Sequence, residues 1–394
     1  MRALVIAPEP FFTPRGTPLS VYHRAVVATE LGVEVDLLTY GEGEDVDVPG
    51  LHVIRTPHFS MLGAVRTGPS GLKLFLDQFM MFWTLGLLLR RRYDFVHAHE
   101  EAVFFCLLFK PFFRFKLVYD MHSRLPEQLD NFAFTSSQLV RRAFQWLESR
   151  ALRSADAVIT ICPELAAYAT SQGVEGERHF LIENSIFEPV RLRPAPSGAD
   201  ARVRAVEEHL DSLPADAPLI VYAGTLECYQ GIDLLLAAFE RLHARVPGAQ
   251  LLVLGGDSDQ RRRYEDAAKS LGVRSHSLFA GRVPQDAAQR FCLRATLQVS
   301  PRSSGTNTPL KLYQQLASGI PIVATRVPSH TQLLDESVTF LADAEPGALA
   351  DALELALRDP ELRARKAANA RRLYEARYSK DRYVQKMSEL LKGL

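Results

Sequence analysis

The chain has 394 residues, of which 47% are hydrophobic and 23% are charged, and this is the composition of a folded protein. Its 46 Lys and Arg residues balance its 46 Asp and Glu residues, so the formal net charge is zero. Proteins that bind nucleic acid usually carry a basic excess, so nucleic acid is not expected as a partner. The length exceeds that of one ordinary core and predicts two domains.

The cysteines and the N-terminus indicate where the protein resides. Four cysteines lie far apart without paired spacing, so neither a zinc site nor a disulfide framework is expected. The run MRALVIAP is too short for a signal peptide, because Glu9 and Pro10 follow it at once. We therefore expect a cytoplasmic protein whose N-terminus forms the first strand of a buried parallel sheet.

Short apolar runs alternate with helical patterns in the first half of the chain. The predicted strands are residues 3–7, 33–39, 52–55, 95–98, 116–119, 157–161 and 180–182. This alternation favours a parallel sheet that is covered by helices on both faces. Residues 1–190 are therefore predicted to form a doubly wound α/β domain.

Residues 191–217 are rich in proline, contain one charged helical stretch and are predicted as a linker. Strands then recur at residues 219–223, 251–254, 277–280, 297–300, 321–324 and 338–341. Residues 218–375 are predicted as a second doubly wound domain. Residues 376–394 are predicted as a C-terminal helix that crosses back to the first domain.

The segment LQVSPRSSGTNTPLKLYQQLASGIPIVAT, residues 297–325, predicts a strand, a polar loop, a helix opened by Pro309 and stopped at Gly319, and a second strand. The amides of residues 305–308 would lie at the positive end of the helix dipole, with Lys311 beside them. That arrangement suits the phosphates of a nucleoside diphosphate. The alternative is that Thr308 only caps the helix, and this segment alone does not decide between the two.

Other strand ends of the second domain also carry glycine. Gly224, Gly255 and Gly281 each follow or end an apolar run, as Gly305 follows the run at 297–300. One such glycine indicates no more than a tight turn. Four at the strand ends of one domain favour a ligand site there.

In the first domain, the loop after the first strand contains Gly16 and precedes a helix over about residues 18–31. A glycine at a helix N-terminus allows a ligand to approach the backbone, although a simple strand-to-helix turn explains it equally well.

Histidines and acids follow two neighbouring strands of the first domain, in the motifs HAHEE and DMHSR. We expect His97 and His99 to point to opposite sides of their strand, which argues against a zinc site. His122 follows an apolar strand, with Asp120 and Arg124 near it in sequence, and is the stronger functional candidate. The alternative is a capping or buried, hydrogen-bonded histidine.

The order of these elements resembles the retaining glycosyltransferases of the GT-B type, specifically family four, over nearly the whole chain. The motifs that carry the resemblance are PRGTPLSVYHRAVVATELG, VHAHEE, YDMHSR, ENSI, AGTLECYQGIDLLLAAF, LLVLGG, FAGRVP and TPLKLYQQLASGIPIVAT. The resemblance implies two Rossmann-like domains that face a central cleft.

The same resemblance implies transfer of a sugar from a UDP- or GDP-sugar to a sugar or lipid-linked acceptor, with retention at the anomeric carbon and without a metal or cofactor. Synthesis of cell-surface polysaccharide or glycolipid is the implied process. A dehydrogenase is disfavoured, because PEPFFTPRG replaces GxGxxG after the first strand.

The resemblance also implies roles for particular residues. The implied catalytic residues are His122, Thr306 and Lys311, and His122 would contact the sugar. Arg282 and Val283 would face the base, and Gln314 would face the ribose. The other residues implied to bind the nucleotide sugar are Gly224, Thr225, Arg302, Gly305, Thr306, Asn307, Thr308 and Lys311. The implied acceptor-side residues are Gly16, Thr17, His99, Glu100, Asp120 and Arg124.

The chain departs from the family pattern at two places. Thr306 and Gln314 stand where the family usually has two glutamates, and Thr225 and Gln230 replace the usual Arg and Lys of the loop after Gly224. We expect Lys311, with Arg302 and Arg282, to restore the missing positive charge. The departures also motivate a second hypothesis, a catalytically silent subunit or scaffold that binds a nucleotide sugar.

Residues 66–116 hold eight basic and four acidic residues. The apolar run at 79–89 is shorter than the roughly 20 residues that span a bilayer, and it is predicted as a buried core helix. The run FFCLLFKPFFRFK, residues 104–116, mixes aromatic and basic side chains. Residues 112–116 are therefore predicted to contact the anionic inner face of a membrane, which would suit a lipid-linked acceptor.

Overall fold

The computed structural model describes residues 1–13, 16–58, 65, 70–124, 138–174, 176–192 and 199–394, without the side chains of 140–141 and 199–200. Arg66, one of the predicted basic residues, lies outside these ranges. The chain divides into two compact units. Unit 1 is Met1–Arg193 with Lys380–Leu394, and unit 2 is Pro194–Ser379.

Unit 1 contains a seven-stranded parallel sheet in the order β3-β2-β1-β4-β5-β6-β7. Its strands are β1 (Arg2–Ala7), β2 (Glu34–Thr39), β3 (Leu51–Arg55), β4 (Phe95–His99), β5 (Lys116–Met121), β6 (Ala157–Thr160) and β7 (His179–Leu181). Its helices are α1 (Gly16–Glu30), α2 (Gly71–Arg90), α3 (Ala102–Phe113), α4 (Gln138–Ser154) and α5 (Pro163–Ser171), with a last helix over Lys380–Gly393.

Unit 2 contains a six-stranded parallel sheet in the order β10-β9-β8-β11-β12-β13. Its strands are β8 (Leu219–Ala223), β9 (Gln250–Leu254), β10 (Ser277–Gly281), β11 (Leu297–Ser300), β12 (Ile322–Thr325) and β13 (Phe340–Ala342). Its helices are α6 (Ala199–Ser212), α7 (Ile232–Arg245), α8 (Ser258–Ser270), α9 (Gln285–Leu293), α10 (Leu310–Ser318), α11 (Pro328–Thr331), α12 (Pro346–Arg358) and α13 (Pro360–Arg377). The last helix of the chain, in unit 1, is α14.

The central strands are buried on both faces, which explains their continuous apolar sequences. In β1, the side chains of Leu4 and Ile6 join the hydrophobic core on one face of the sheet, whereas Ala3 and Val5 join the core on the other face. Helix α14 contributes to the second core through Tyr383, Met387 and Leu390. The fold class predicted from the sequence, two doubly wound α/β units, is confirmed.

The strand orders determine where each unit can bind a ligand. In the first sheet, the strands that follow β1 are added on one side of it, whereas the strands that follow β4 are added on the opposite side. The same reversal occurs at β8 and β11 in the second sheet. Parallel α/β sheets bind ligands outside the carboxyl ends of strands at such a reversal. The corresponding described loop residues are 8–13 and 100–101 in unit 1, and 224–231 and 301–309 in unit 2.

The two loops of unit 2 touch at a glycine. Gly231 has φ 74°, and a Cβ atom there would lie 1.9 Å from the carbonyl oxygen of Pro301. The amide of Ser303 also donates to the carbonyl of Tyr229 at 3.0 Å. The loop after β8 is thereby held against the loop after β11.

Helix α2 differs from the sequence-based expectation. It has 20 residues, and among the described residues it is the one helix whose length and composition would allow it to cross a membrane. Only 22% of its 18-residue apolar stretch is buried inside the protein. The buried residues Leu76, Met80, Thr84 and Leu88 are spaced four apart, so they share one face of the helix. The prediction of a buried core helix at 79–89 is wrong for Phe82 and Leu89, which are 61% and 71% exposed.

The segment predicted as a linker contains α6. Val206 and Leu210 of this helix are buried in a hydrophobic core of unit 2 with residues of β8 and β9. Residues 193–198 of the same segment lie outside the described ranges.

Candidate functional site

Lys311 connects α10 to the loop after β8 in unit 2. Its Nζ lies 3.3 Å from Oε1 of Gln230 and 4.2 Å from the centroid of the Tyr222 ring. The Tyr222 hydroxyl donates to the carbonyl of Thr225 at 2.6 Å, and the Gln230 amide donates to the Thr225 hydroxyl at 3.3 Å. Neutral groups therefore surround the ammonium group.

Arg302 brings a second positive charge to the same place, the corner of unit 2 that is formed by residues 224–231, residues 301–309 and the start of α10. Its Nη1 donates to the carbonyl of Asn307 at 2.8 Å, and its Cζ lies 5.0 Å from the centroid of the Tyr229 ring. In the part of the chain that the structure describes, neither Arg302 nor Lys311 has a carboxylate partner. Two neighbouring cations without a counterion form a site for an anion.

Burial and the adjacent Arg302 charge lower the pKa of Lys311 to about 7. Burial also lowers the pKa of Arg302, and it lowers that of His330 to about 3. His330 is therefore neutral, and its ring nitrogens lie 3.0 Å from the Ser300 hydroxyl and 2.8 Å from the Thr325 carbonyl. This histidine supports the ends of β11 and β12 and adds no charge.

The loop before α10 presents unpaired backbone amides. Pro309 is the N-cap residue with extended backbone, and no side chain caps the helix, so the alternative that Thr308 serves as the cap is wrong. Within the described ranges, the amides of Gly305, Thr306 and Thr308 donate no hydrogen bond. The side chain of Gln332 holds the Thr306 carbonyl at 2.6 Å. Amides at a helix N-terminus bind phosphate.

Several predicted nucleotide-sugar residues meet at this corner. A Cβ atom on Gly224 would lie 3.7 Å from Cδ of Lys311, so the end of β8 is in contact with α10. Arg282 is exposed beyond the end of β10, and Val283 and Gln314 are partly exposed. Lys311 and Arg302 lie at this corner, whereas Arg282 is exposed, and the expected charge compensation by these three residues stays a prediction.

In unit 1, the two motifs with histidines form one buried cluster. His97 and His99 lie on the same face of β4, with their rings stacked at a centroid distance of 4.6 Å. The expectation that they point to opposite sides is wrong, because residues two apart on a strand share a face. Nδ1 of His99 lies 3.0 Å from Nε2 of His122.

Asp120 lies at the centre of this cluster and is fully buried. Arg24 Nε lies 2.5 Å from its Oδ2, His97 Nε2 lies 3.0 Å from the same oxygen, and His122 Nε2 lies 3.3 Å from Oδ1. Burial raises the pKa of Asp120, but the positive charge of Arg24 and the interactions with the neighbouring histidines outweigh this effect and hold the pKa well below its usual range. Burial lowers the pKa of His97 and His99, so both rings are neutral.

The ligand atoms of His97, His99 and Asp120 lie within 4.8 Å of one another, a grouping that can hold a metal ion. The charges of these residues do not fit a metal well. Asp120 is already paired with the buried guanidinium of Arg24, and a divalent cation would place a second positive charge on the same carboxylate. The absence of a metal site stays a prediction.

The other acceptor-side candidates, Glu100, Arg124, Gly16 and Thr17, lie in different surroundings. Glu100 is buried with a left-handed backbone (φ 50°), which is a strained conformation for this residue. Burial and the neighbouring Glu101 raise the pKa of Glu100 to about 8, and the Ser123 hydroxyl donates to it at 3.0 Å. Arg124 lies 4.3 Å from the Tyr168 ring centroid. Gly16 and Thr17 form the first turn of α1.

The sequence analysis missed Arg24, Tyr222 and Tyr383. Arg24 had a signal, since it is a charged residue within the apolar helical run VYHRAVVA and is 2% exposed. Tyr222 and Tyr383 had none, because an aromatic residue in an apolar strand or helix is most often core.

Two family models match the chain. "Glycosyl transferase 4-like domain" matches residues 19–185, and "Glycosyl transferases group 1" matches residues 207–373. The D-inositol 3-phosphate glycosyltransferase of Xylanimonas cellulosilytica is 33% identical over 230 residues, which are 57% of this chain and 54% of that protein. The chain spans about half the length of the first curated relatives that it matches.

Solved structures resemble the whole chain. Sucrose-phosphate synthase from Thermosynechococcus elongatus has a TM-score of 0.78 at 20% identity and covers 99% of this chain, which covers 98% of it. Anabaena HepE in complex with UDP and glucose has a TM-score of 0.73 at 16% identity, with coverage of 100% and 99%. The fold is thus that of the GT-B glycosyltransferases. Within this class, the chain belongs to family four, the glycosyl transferases group 1.

Replacing Lys311 with alanine should weaken the binding of a nucleoside diphosphate about 10- to 100-fold, because a charged hydrogen bond in a neutral pocket is lost. Titration calorimetry with UDP and GDP measures the change. Lys269→Ala removes an exposed lysine of α8 and serves as the control. Equal affinities of the two variants would refute the role of Lys311.

The pKa of Lys311 also predicts a pH dependence. A bound diphosphate should raise this pKa above about 7, so binding takes up a proton. Affinity should stay constant below pH 7 and fall above it by up to about tenfold per pH unit. Calorimetry in buffers of different ionisation enthalpy measures the uptake. Equal apparent enthalpies in all buffers at pH 7.5 would contradict it.

Proposed function

We propose that the protein is a glycosyltransferase that moves a sugar from a nucleotide-diphosphate sugar to an acceptor hydroxyl, with retention at the anomeric carbon and without a metal. The observation that carries this proposal is the corner of unit 2 where, as far as the structure describes the chain, Lys311 and Arg302 lack a counterion and the amides of Gly305, Thr306 and Thr308 donate no hydrogen bond. HepE, which shares the fold, is described in complex with UDP and glucose. A UDP-sugar is therefore the first candidate, with a GDP-sugar second.

The chemistry of this corner matches the leaving group. When the bond between the anomeric carbon and the diphosphate breaks, negative charge develops on the phosphate oxygens. Preorganised amides and cations stabilise such charge as it forms. Because they neutralise the diphosphate themselves, a metal ion is not required for this step. The amide of Gln314 can hydrogen-bond a ribose diol in place of the usual glutamate.

The acceptor-side residues belong to unit 1. His122 and Asp120 supply polar groups at the end of β5, and Glu100 supplies a carboxyl that is largely protonated at neutral pH. Histidine and a protonated carboxyl group can both donate and accept hydrogen bonds, which suits sugar hydroxyls. We assign His122 to the transferred sugar, and Glu100 and Asp120 to the acceptor side.

An exposed apolar surface supports a lipid-linked acceptor. Neighbouring helices α2, α3 and α4 expose large apolar side chains, at Phe75, Phe82 and Leu89, at Leu108 and Phe112, and at Leu139 and Trp146. Arg91, directly after α2, and Lys116, three residues after α3, each have a side chain that is 53% exposed and that pairs with an aspartate, Asp36 and Asp156 respectively. Because α2 packs its other face on the core, the helix would lie on an anionic bilayer and would not cross it. The protein would then work at the cytoplasmic face of a membrane, in polysaccharide or glycolipid synthesis.

The activity is tested by incubating the protein with UDP- and GDP-sugars and measuring free nucleotide. We expect slow release with one sugar donor even without acceptor, undiminished by EDTA, and about 100-fold less with Lys311→Ala. Product NMR should show the anomeric configuration of the donor. An inverted product would refute retention. Tight nucleotide binding without any release would favour the silent-subunit hypothesis.

Membrane contact is tested by sedimentation with vesicles that contain phosphatidylglycerol. The double variant Phe82→Gln and Phe112→Gln should sediment less than the unsubstituted protein, because two exposed aromatic anchors are lost. Leu355→Gln, at an apolar residue of unit 2 that is 50% exposed, is the control. If the unsubstituted protein stays in the supernatant at low salt, the membrane contact is refuted.

A further inference from the structure

The last helix of the chain reaches the histidine cluster through one side chain. Arg24 Nη1 donates to the Tyr383 hydroxyl of α14 at 3.3 Å, and both side chains are buried. The Tyr383 ring also packs edge-on against Phe187, with centroids 5.0 Å apart. The position of the guanidinium thus depends on α14.

Arg24 has several acceptors, and the strongest is Asp120. Its Nε lies 2.5 Å from Oδ2, and its Nη2 donates to Oδ1 at 3.3 Å and to the Ile182 carbonyl at 3.1 Å. A guanidinium that contacts both carboxylate oxygens fixes the plane of the carboxyl group. Asp120 is held in one orientation by residues that are far from it in sequence.

The orientation of Asp120 determines the protonation of the rings around it. An ionised carboxylate only accepts hydrogen bonds, so a ring nitrogen that lies against it carries a proton. Nε2 of His97 lies 3.0 Å from Oδ2 and Nε2 of His122 lies 3.3 Å from Oδ1, whereas Nδ1 of His99 is farther away, at 3.5 Å from Oδ2. The shorter approach of His122 to the carboxylate places the proton of the His99–His122 pair on His122. Nδ1 of His99 then accepts from His122. The proton that His122 contributes to this hydrogen-bond network is thereby placed on Nε2.

We propose that Arg24 and Tyr383 are positioning residues of the glycosyl transfer site, which fix the tautomer and ring orientation of His122 through Asp120, so that helix α14 completes the site in unit 1. The inference rests on the proposed function, in which His122 contacts the transferred sugar. It adds residues from both ends of the chain that do not themselves touch the substrate.

The positive charge of Arg24 also keeps the Asp120 carboxyl group ionised. Asp120 is faced by Arg24 of α1, by His97 and His99 of β4, and by His122, with the largely protonated Glu100 and the neutral Tyr383 nearby. Without the guanidinium, burial favours the neutral carboxyl group. The cluster would then hold an additional proton at pH values where the unsubstituted protein excludes it.

The experiment compares Arg24→Lys, Arg24→Gln and Tyr383→Phe with Lys386→Gln, a control on the same helix whose residue pairs with Glu183. We expect kcat to fall about 10- to 100-fold for Arg24→Lys and about 2- to 10-fold for Tyr383→Phe. The affinity for UDP should be unchanged, since the diphosphate is bound by unit 2. For Arg24→Gln, the acid limb of the kcat profile should move to higher pH by about one unit or more.

Histidine ring ¹⁵N spectra give a readout that does not need activity. The unsubstituted protein should show His97 and His122 with protonated Nε2, and Arg24→Gln should change this pattern whereas Lys386→Gln should not. If Arg24→Gln fails to fold, Tyr383→Phe, which keeps the ring, carries the test.

The outcomes separate this inference from the proposed function. Normal kcat, pH profile and ring spectra in all three variants would overturn the positioning role while leaving the transferase activity intact. No turnover by the unsubstituted protein, with ring spectra that respond to Arg24→Gln as stated, would refute the proposed function and retain the coupling between Arg24 and the cluster.

Discussion

Parallel strands that are buried on both faces have no polar surface except at their ends, and this constraint governs both units. Helices cover each sheet, so the strands are almost continuously apolar and the polar side chains collect in the loops that follow them. The reversal of strand order at β1/β4 and at β8/β11 separates the neighbouring helices and leaves room beside those loops. Each unit therefore has one corner where chemistry can occur.

The sites in the two units differ in whether their buried charges are paired within the protein. In unit 2, Lys311 and Arg302 have no counterion among the described residues, so the corner is suited to an external anion, and burial and Arg302 lower the pKa of Lys311 to about 7. In unit 1, Arg24 and Asp120 neutralise each other, and burial keeps His97 and His99 neutral by lowering their pKa. The first arrangement suits a charged diphosphate, and the second suits uncharged hydroxyl groups. These two arrangements agree with transfer of a sugar from a charged carrier to a neutral acceptor.

Local patterns predicted the strands within one or two residues, because continuous apolar runs between turn signals are determined by short-range sequence. They also placed Gly224, Lys311 and Asp120 at strand or helix ends. They did not predict that Phe82 and Leu89 are exposed, because hydrophobicity alone does not show which face of a helix has a neighbour. Residues two apart on a strand lie on the same face, so the stacking of His97 and His99 could have been predicted from their spacing.

The sequence by itself determined the fold class and the strand positions and predicted a phosphate-binding segment before α10, since each depends on residues close together in the chain. Tertiary structure alone decided which charges are paired. Arg24 meets Asp120 and Tyr383 across separations of 96 and 359 residues, whereas Lys311 meets Gln230 and no carboxylate among the described residues. The reason is physical: the energy of a charge depends on its burial and on its neighbours in space, and neither can be read from local sequence.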